Sequence, residues 1–414
     1  MRELRVQEIL RDPVREARAR MDAVFDLVPE GEWYVRPVPE RHRLIFYLGH
    51  MEAFDWNLFT EEREPACHAT LDQLFAFGID PGPDQLPNDQ PADWPSLTEV
   101  RRYVRRVRDQ LDKRRSEADP ILLAVASEHR LMHAETFTYL LHNLDQPLKG
   151  IFQSDPPFVG NSSPPLHRMV TIPAGKATLG VHRRTNLVPI PANRFHWDNE
   201  FDAEEVTVPG FEISRYKVTN AQYQKFVEDG APPPRYWRRR QGGWWWRTLT
   251  GDIPLPMDWP VFVSYNDAAV YAHWSGQSLP TEAQYHRAAY GTSGDEERQY
   301  PWGDRLPDPT RGNFDFQRRD PVSVTAYPMG DSAFGVAQML GNGWEWTSTV
   351  FAPLPKFRPF EFYPGYSAPF FDGQHHVVKG GSPLTAARLL RRSFRNWYRP
   401  NYSYGYAGFR CVNT

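Results

Sequence analysis

The pattern of apolar and polar positions divides the chain into a regular first part and an irregular second part. In the first part, apolar side chains recur at every third or fourth position, which places them on one face of an α-helix. This rhythm predicts four helices, over residues 4–28, 41–60, 96–115 and 120–143. Four long helices favour an antiparallel bundle, a fold that builds metal sites from side chains on facing helices.

Beyond residue 154 the helical rhythm is mostly lost. The proline-rich segment 154–165 predicts the domain boundary, with a helical bundle over residues 1–155 and a second domain over residues 166–414. Short elements separated by turn residues are predicted in the second domain: β-strands at 169–173 and 205–208, and helices at 220–229 and 281–290. The expected fold class is therefore α+β multidomain, a four-helix bundle followed by an irregular α+β domain.

Composition and charge exclude several classes of partner. The 414 residues fit two domains of ordinary size, and the net charge of −3 gives no attraction toward nucleic acid or an anionic membrane. No apolar run is long enough to span a bilayer, and the N-terminus lacks the apolar core of a signal peptide. Cys67 and Cys411 are the only cysteines, which indicates no disulfide framework and favours a reducing cytoplasm.

Two histidines four residues apart, His129 and His133, are the strongest chemical signal in the helical part. Positions i and i+4 share one face of a helix, so the two imidazoles can bind one metal ion. His50, in the second predicted helix, is the candidate third ligand, and such a site leaves its opposite face open to substrate and dioxygen. The pair is also compatible with hydrogen-bonded core histidines. The zinc-protease motif His-Glu-x-x-His is excluded because Arg130 follows the first histidine.

The second domain carries a series of collinear motifs, which include Gly341-Asn342-Gly343-Trp344-Glu345-Trp346, Gly380-Gly381-Ser382 and the closing Gly408-Phe409-Arg410-Cys411. On these motifs it resembles the formylglycine-generating enzymes, whose sulfatase-modifying factor domain has a C-type-lectin-like α+β fold. The catalytic cysteine pair of that family is absent from residues 384–390, so its chemistry is not expected. The resemblance implies a structural Ca²⁺ near Gly341, Gly343 and Glu345, although Gln338 replaces the usual asparagine.

The first domain resembles the DinB-like helical bundle, on Leu48-Gly49-His50 and on the pair His129 and His133. A DinB-like bundle followed by a formylglycine-enzyme-like domain resembles the non-haem iron sulfoxide synthases. Those enzymes use Fe(II) and dioxygen to join a thiol to the imidazole of hercynine or histidine, in ergothioneine and ovothiol biosynthesis. A related branch uses a selenium donor and makes selenoneine. The resemblance implies that His50, His129 and His133 bind Fe(II), and that the second domain completes the substrate site.

The same resemblance assigns hercynine binding to Arg395-Asn396-Trp397, near the C-terminus. The chemistry is suitable, because an amide can bind a carboxylate and an indole face attracts a trimethylammonium by cation–π interaction. The alternative is that Asn396 caps a turn and Trp397 packs in the core.

Two positions depart from the sulfoxide-synthase pattern. Met132 replaces a glutamine before the second histidine of the pair, and Phe75 and Phe77 lie where many members have a tyrosine pair. The catalytic tyrosine is therefore expected elsewhere, at Tyr363 or Tyr366. An apolar, polarisable wall of Met132, Phe75 and Phe77 favours a soft selenium donor over a charged peptide.

The predicted function is the formation of a C–Se or C–S bond at the imidazole C2 of hercynine, with Fe(II) and dioxygen. A selenosugar donor, giving selenoneine, is favoured slightly over cysteine or γ-glutamylcysteine, which would give a sulfoxide of the ergothioneine pathway. A second class remains open, a zinc-dependent DinB-type hydrolase or thiol transferase on the same three histidines. A third is a non-enzymatic binding module on a lectin-type scaffold.

Overall fold

The computed structural model describes residues 12–60, 67–77, 86–114, 118–148, 163–183, 195–294 and 296–413. Its contacts divide the chain into two compact units, Met1–Ile151 with Leu187–Phe195, and Phe152–Asn186 with His196–Thr414. The first is helical and the second is α+β, which confirms the predicted fold class. Most of the predicted boundary segment, 154–165, lies outside the described residues. None of the described helices is both long and apolar enough to cross a membrane.

The described part of the helical unit contains five α-helices. They are α1 Pro13–Phe25, α2 Leu44–Thr60, α3 Ala69–Phe77, α4 Leu97–Arg114 and α5 Pro120–His142. The four predicted helices correspond to α1, α2, α4 and α5, although the predicted start of α1 lies outside the described residues. The short helix α3 was missed, because its nine residues are too few to establish a helical rhythm.

Local sequence signals explain where α1 and α5 begin. The Asp12 side chain accepts a hydrogen bond from the Arg15 backbone N–H at 3.1 Å, and Asp119 accepts one from Ile121 at 2.7 Å. Each aspartate is followed by a proline in the first turn, where no backbone donor is required. The beginning of α5 is therefore fixed by its own sequence, and with it the helical phase of the histidine pair.

A buried ion network connects the two helices that carry the histidines. The guanidinium of Arg130 on α5 donates to Glu52 at 3.0 Å, to Asp55 at 2.6 Å and to the carbonyl of Met51, all on α2. Arg130 and Glu52 are fully buried, and Arg108 of α4 also donates to Glu52 at 2.8 Å. Burial alone would raise the pKa of Glu52, but Arg130 and Arg108 outweigh it and lower the pKa to about 2. The network fixes how α5 lies along α2.

The second unit combines twelve strands and three α-helices among the described residues. The helices are α6 Asn220–Glu228, α7 Tyr265–Trp274 and α8 Glu282–Tyr290. The strands are β1 Met169–Ile172, β2 Gly175–Leu179, β3 Glu204–Val208, β4 Phe211–Ser214, β5 Trp237–Arg240, β6 Gly243–Arg247, β7 Asp252–Pro254, β8 Trp344–Val350, β9 His376–Lys379, β10 Asn396–Tyr398, β11 Ala407–Gly408 and β12 Val412–Asn413.

The strands form four small sheets, with the orders β1-β4-β12, β10-β9-β8-β11, β2-β3 and β5-β6-β7. All pairings are antiparallel except that of β11 with β8. The core of this unit lies between α8 and the first sheet, where Tyr285 and Met339 pack against Ile172, Ile213 and Val412. In the second sheet, β10 pairs with β9 so that Trp397 lies opposite Val377.

The predicted elements at 169–173, 205–208, 220–229 and 281–290 correspond to β1, β3, α6 and α8. The remaining strands and α7 were missed. Apart from β8, which has seven residues, the missed strands have two to five residues, too few for an alternating pattern to be recognised. Several also pair with segments far away in the sequence, as β12 does with β4.

Candidate functional site

Helices α2 and α5 bring three histidines together. One ring nitrogen each of His50, His129 and His133 can be chosen so that all three lie within 4.8 Å of one another. The ring centroids of His129 and His133 are 4.4 Å apart, and His50 lies 5.4 and 5.1 Å from them. The i, i+4 spacing on α5 supplies two of the imidazoles, and the register fixed by Arg130 supplies the third.

A backbone carbonyl orients His50. Its Nδ1 lies 2.7 Å from the carbonyl oxygen of Phe75 on α3. Because a carbonyl only accepts, Nδ1 carries the proton and Nε2 keeps the lone pair that a metal requires. This arrangement holds His50 in the tautomer and orientation of a metal ligand.

The side chain of Phe75 lies in the interhelical core. It is fully buried, and a Cβ at Gly49 would come within 2.4 Å of its ring, so Leu48-Gly49-His50 needs glycine for α3 to approach α2. Phe75 was predicted to line the substrate pocket, and this role stays a prediction; in the structure its carbonyl contacts His50 and its ring is buried. The side chain of Phe77 lies outside the described residues. Met132 is half-buried, directly before His133.

Aromatic rings hold the imidazoles in place. Phe54 stacks on His129 with centroids 3.5 Å apart and planes within 13°, and Phe46 stacks on His50 at 4.7 Å and 21°. Phe46, His50 and Phe54 are spaced at i, i+4 and i+8 along α2, so the sequence contained this signal. Rings fixed on one face leave the imidazole nitrogens little freedom to reorient.

The electrostatics of the cluster suit a divalent metal. Burial, together with the neighbouring imidazoles, holds the pKa of His129 and of His133 well below the usual range, so both rings are neutral at pH 7. The Nδ1 of His133 is buried and has no hydrogen-bond partner within the described part of the chain. Neutral imidazoles are the ligand form that Fe(II) and Zn(II) require, and a buried polar atom without a partner is costly unless a ligand satisfies it. The donor set therefore fits a metal ion.

In the second unit, the structure gathers Tyr363, Tyr366 and Trp397 into one aromatic cluster. Trp397 stacks on Phe351 with centroids 4.2 Å apart, and Tyr366 meets its ring edge-on at 5.6 Å. Tyr366 in turn stacks on Trp197 at 3.9 Å, and the centroid of Tyr363 lies 5.7 Å from that of Tyr366. The sequence predicted three members of this cluster and missed Trp197 and Phe351, of which Trp197 lies far from the others along the chain.

Arg395 and Asn396 have different surroundings. Arg395 is buried and donates to the carboxylate of Glu282 at 3.0 and 3.1 Å and to the carbonyl of Ala352 at 3.1 Å. Its predicted contact with substrate stays a prediction; in the structure its donors connect the first turn of α8 to the residue before β10. Asn396 is half-buried, and its Oδ1 accepts a hydrogen bond from the Trp397 backbone N–H at 2.9 Å. Its Nδ2 lies 3.5 Å from the hydroxyl oxygen of Tyr398.

The residues of the expected calcium site do not fit calcium. Lys217 places its ammonium 2.5 Å from Glu345 Oε1 and 2.9 Å from the carbonyl of Gln338. Arg410 binds the same carboxylate at 2.5 and 3.0 Å. The Gln338 side chain accepts from Asn342 and donates to two carbonyls, so its oxygen is also used. The cation of this site is a lysine of the chain itself.

Comparisons with known proteins agree with these two units. A family model of the sulfatase-modifying factor enzyme 1-like domain matches residues 157–414, and one of the DinB superfamily matches residues 14–140. Hercynine oxygenase of Mycolicibacterium thermoresistibile is 35% identical over 77% of this chain and 75% of its own. Ergothioneine biosynthesis protein 1 of Schizosaccharomyces pombe is 29% identical over 94% of this chain and 54% of its own.

The formylglycine-generating enzyme of Mus musculus is 29% identical over 61% of this chain and 75% of its own. The match to hercynine oxygenase covers more of this chain than the match to the formylglycine-generating enzyme, and its sequence identity is higher. The chain therefore belongs to the hercynine oxygenase family of enzymes, with a DinB-superfamily region followed by a sulfatase-modifying factor domain.

Proposed function

We propose that this protein is an Fe(II)- and dioxygen-dependent synthase that joins a chalcogen to the imidazole C2 of hercynine. The observation that carries the proposal is the convergence of three histidine ring nitrogens within 4.8 Å, two of them in imidazoles that burial keeps neutral. The names of the relatives, hercynine oxygenase and ergothioneine biosynthesis protein 1, support hercynine as the substrate.

His50, His129 and His133 would hold the iron. Bound there, Fe(II) supplies redox chemistry and coordination positions at which substrates and dioxygen can gather. The chain's own part is to keep the three imidazoles neutral and oriented. The carbonyl of Phe75 fixes the tautomer of His50, and the ring of Phe54 fixes the plane of His129.

Trp397 and Asn396 would bind hercynine. The Trp397 ring, backed by Phe351, offers an indole face to a trimethylammonium, and the Asn396 amide can donate to a carboxylate. Tyr363 is the proposed proton donor. Burial, reinforced by the charge of Asp198, raises the pKa of Tyr363 to about 12, so its phenol holds a proton at neutral pH.

For the donor, a selenosugar is proposed ahead of a thiol, because the thioether of Met132 is polarisable and lies beside His133. The printed name of the Schizosaccharomyces pombe relative, an ergothioneine biosynthesis protein, favours the second candidate, a sulfur donor such as cysteine or γ-glutamylcysteine.

A donor competition tests this part of the proposal. The protein loaded with Fe(II) is incubated in air with hercynine and equal concentrations of a selenosugar, cysteine and γ-glutamylcysteine. The products are identified and quantified by mass spectrometry. We expect the selenium product to dominate. A preference of about tenfold or more for either thiol, roughly 1.4 kcal/mol of discrimination, would replace the selenium donor with sulfur. Turnover of a substrate with Zn(II) in place of Fe(II) and without dioxygen would instead support a hydrolase or transferase.

A further inference from the structure

A short buried turn of the second unit contacts the segment that carries both candidate tyrosines. The turn is Asp198–Glu200, and all three of its residues are fully buried. Three consecutive buried polar side chains are costly unless each has a purpose or a partner. Glu200 has partners, since its carboxylate accepts from Arg391 at 2.8 Å and from Ser393 at 2.6 Å. Asp198 has fewer partners than Glu200 among the described residues.

The Asp198 carboxylate accepts a hydrogen bond from a side chain of the tyrosine segment, and the backbone of Asn199 and of Phe360 also favours its charged form. Its Oδ1 lies 2.6 Å from the hydroxyl of Ser367, which is also fully buried. Its Oδ2 is buried and has no hydrogen-bond partner within the described ranges. No ion pair neutralises Asp198 among the described residues, in contrast to Glu200 with Arg391. Among the described residues the carboxylate therefore has one buried oxygen without a partner, which packing alone does not explain.

The tyrosine segment is a series of tight turns, so one anchor fixes it. The backbone N–H of Tyr363 donates to the carbonyl of Phe360, that of Tyr366 donates to Tyr363, and that of Phe370 donates to Ser367. A second contact lies one residue from the first, because Trp197 stacks on Tyr366 with planes within 21°. Trp197 and Asp198 therefore hold the segment at two adjacent points.

We infer that Asp198 is a positioning residue for Tyr363, acting through Ser367 to hold the Phe360–Phe370 turns. This inference rests on the proposed role of Tyr363 as proton donor. It assigns to Asp198 an effect mainly on turnover, because its hydrogen bond anchors the segment that carries Tyr363. Tyr366 of the same segment contacts Trp397, so a smaller effect on hercynine binding is also expected.

The charges around the two groups are consistent with this role. Burial raises the pKa of Asp198 to about 6, against the opposing effect of the hydrogen bond from Ser367. Glu200, on the same turn, adds a smaller effect in the raising direction, while its own charge is paired with Arg391 and with His196. From the facing segment the titratable neighbour is Tyr363, whose pKa burial and Asp198 raise to about 12.

The kinetic test uses Asp198→Asn, which keeps the shape and the acceptor for Ser367 but removes the charge, and Ser367→Ala, which removes the hydrogen bond. The matched control is Asp258→Asn, a carboxylate of the same unit that is 1% exposed and has no hydrogen-bond partner in the described chain. We expect about a tenfold loss of kcat in both test variants with KM for hercynine changed by less than about threefold. The control should keep both parameters. Equal kcat in all four proteins, or a rise in KM alone, would overturn the inference.

A second readout needs no turnover, so it tests Asp198 even if hercynine is not the substrate. Tyr363 is replaced by a fluorotyrosine, and its titration is followed by ¹⁹F NMR in the otherwise wild-type, Asp198→Asn and Asp258→Asn backgrounds. Removing a nearby negative charge favours the phenolate, so the titration should move to lower pH by about one unit in Asp198→Asn alone. The same titration in all three backgrounds would overturn the coupling of Asp198 to Tyr363. Failure of hercynine turnover in the wild type would contradict only the proposed function.

Discussion

At the scale of single residues, the candidate chemistry depends on three imidazoles and a few neighbours that fix them. The sequence supplied the histidine pair, because i, i+4 spacing is a local property of one helix. It could not supply the hydrogen bond between His50 and the carbonyl of Phe75, since that contact joins two helices. The same holds for the ion pair between Arg395 and Glu282, which lie 113 residues apart in the sequence.

The metal site is tested by His133→Ala. We expect loss of bound iron and of turnover with little change in helix content, because the variant removes one of three ligands from a helix held by other contacts. Iron per chain is measured by elemental analysis and helix content by circular dichroism. His68→Ala, an exposed histidine of the same unit, is the control and should retain its iron. Full iron occupancy in His133→Ala would exclude this ligand.

The hercynine site is tested by Trp397→Ala. Loss of a cation–π contact should raise the KM for hercynine by an amount equivalent to about 1–2 kcal/mol, with a smaller effect on kcat. Trp274→Ala, a surface tryptophan that is 42% exposed, serves as the control and should leave KM unchanged. If both variants keep the wild-type KM, Trp397 is only a packing residue.

At the scale of elements, the buried ions decide how segments meet. The amphipathic pattern predicted α2 and α5, but the register between them depends on Arg130, Glu52 and Asp55. Charged residues on a helix ordinarily lie on its solvated face, so the pattern alone does not indicate that these three are buried. Likewise Glu345 was expected to bind calcium, and the structure pairs it with Lys217 and Arg410. Both cases turn on charges that meet across long sequence separations, which no local pattern records.

Arg130→Ala tests the register of α2 and α5. It leaves Glu52 and Asp55 buried without their cation, so we expect a loss of about 3–5 kcal/mol in the free energy of unfolding and weaker iron binding. Denaturant unfolding and an iron titration measure the two effects. Lys176→Ala, which breaks an exposed pair with Glu205, is the control and should cost at most about 1 kcal/mol. A loss below that in Arg130→Ala would show that the network does not hold the helices.

Within this network the contribution of Glu52 to the pH dependence of stability has a definite sign, opposite to that of Asp55, whose pKa is raised by burial. The folded-state pKa of Glu52 is about 2, below the value of an unfolded glutamate, roughly 4.3. Its contribution to the free energy of unfolding is therefore fully present above the unfolded value and is lost as the pH falls toward 2. Unfolding measured between neutral and acidic pH should show this loss in the wild type and a weaker one in Glu52→Gln. Identical acid profiles would contradict the assignment.

The lysine that occupies the expected calcium position gives a further prediction. Addition of Ca²⁺ or of a chelator such as EDTA should leave the Tm of the wild type unchanged, because the ammonium of Lys217 already neutralises Glu345. Lys217→Met should lower Tm clearly, since it leaves a buried carboxylate with Arg410 alone. Lys225→Met, at an exposed position of α6, is the control. A calcium-dependent rise of the wild-type Tm would show that the ion binds after all.

At the scale of the whole molecule, two units contribute different chemistry, one the histidine cluster and the other the aromatic cluster with its tyrosines. The most direct measurement of the central claim is hercynine-dependent oxygen uptake by the Fe(II)-loaded protein, with the product identified by mass. We expect uptake only when Fe(II), hercynine and a chalcogen donor are all present, a product with a new bond at the imidazole C2, and loss of both in His133→Ala. Oxygen uptake that ignores hercynine, or no uptake with any donor at full iron occupancy, would contradict it.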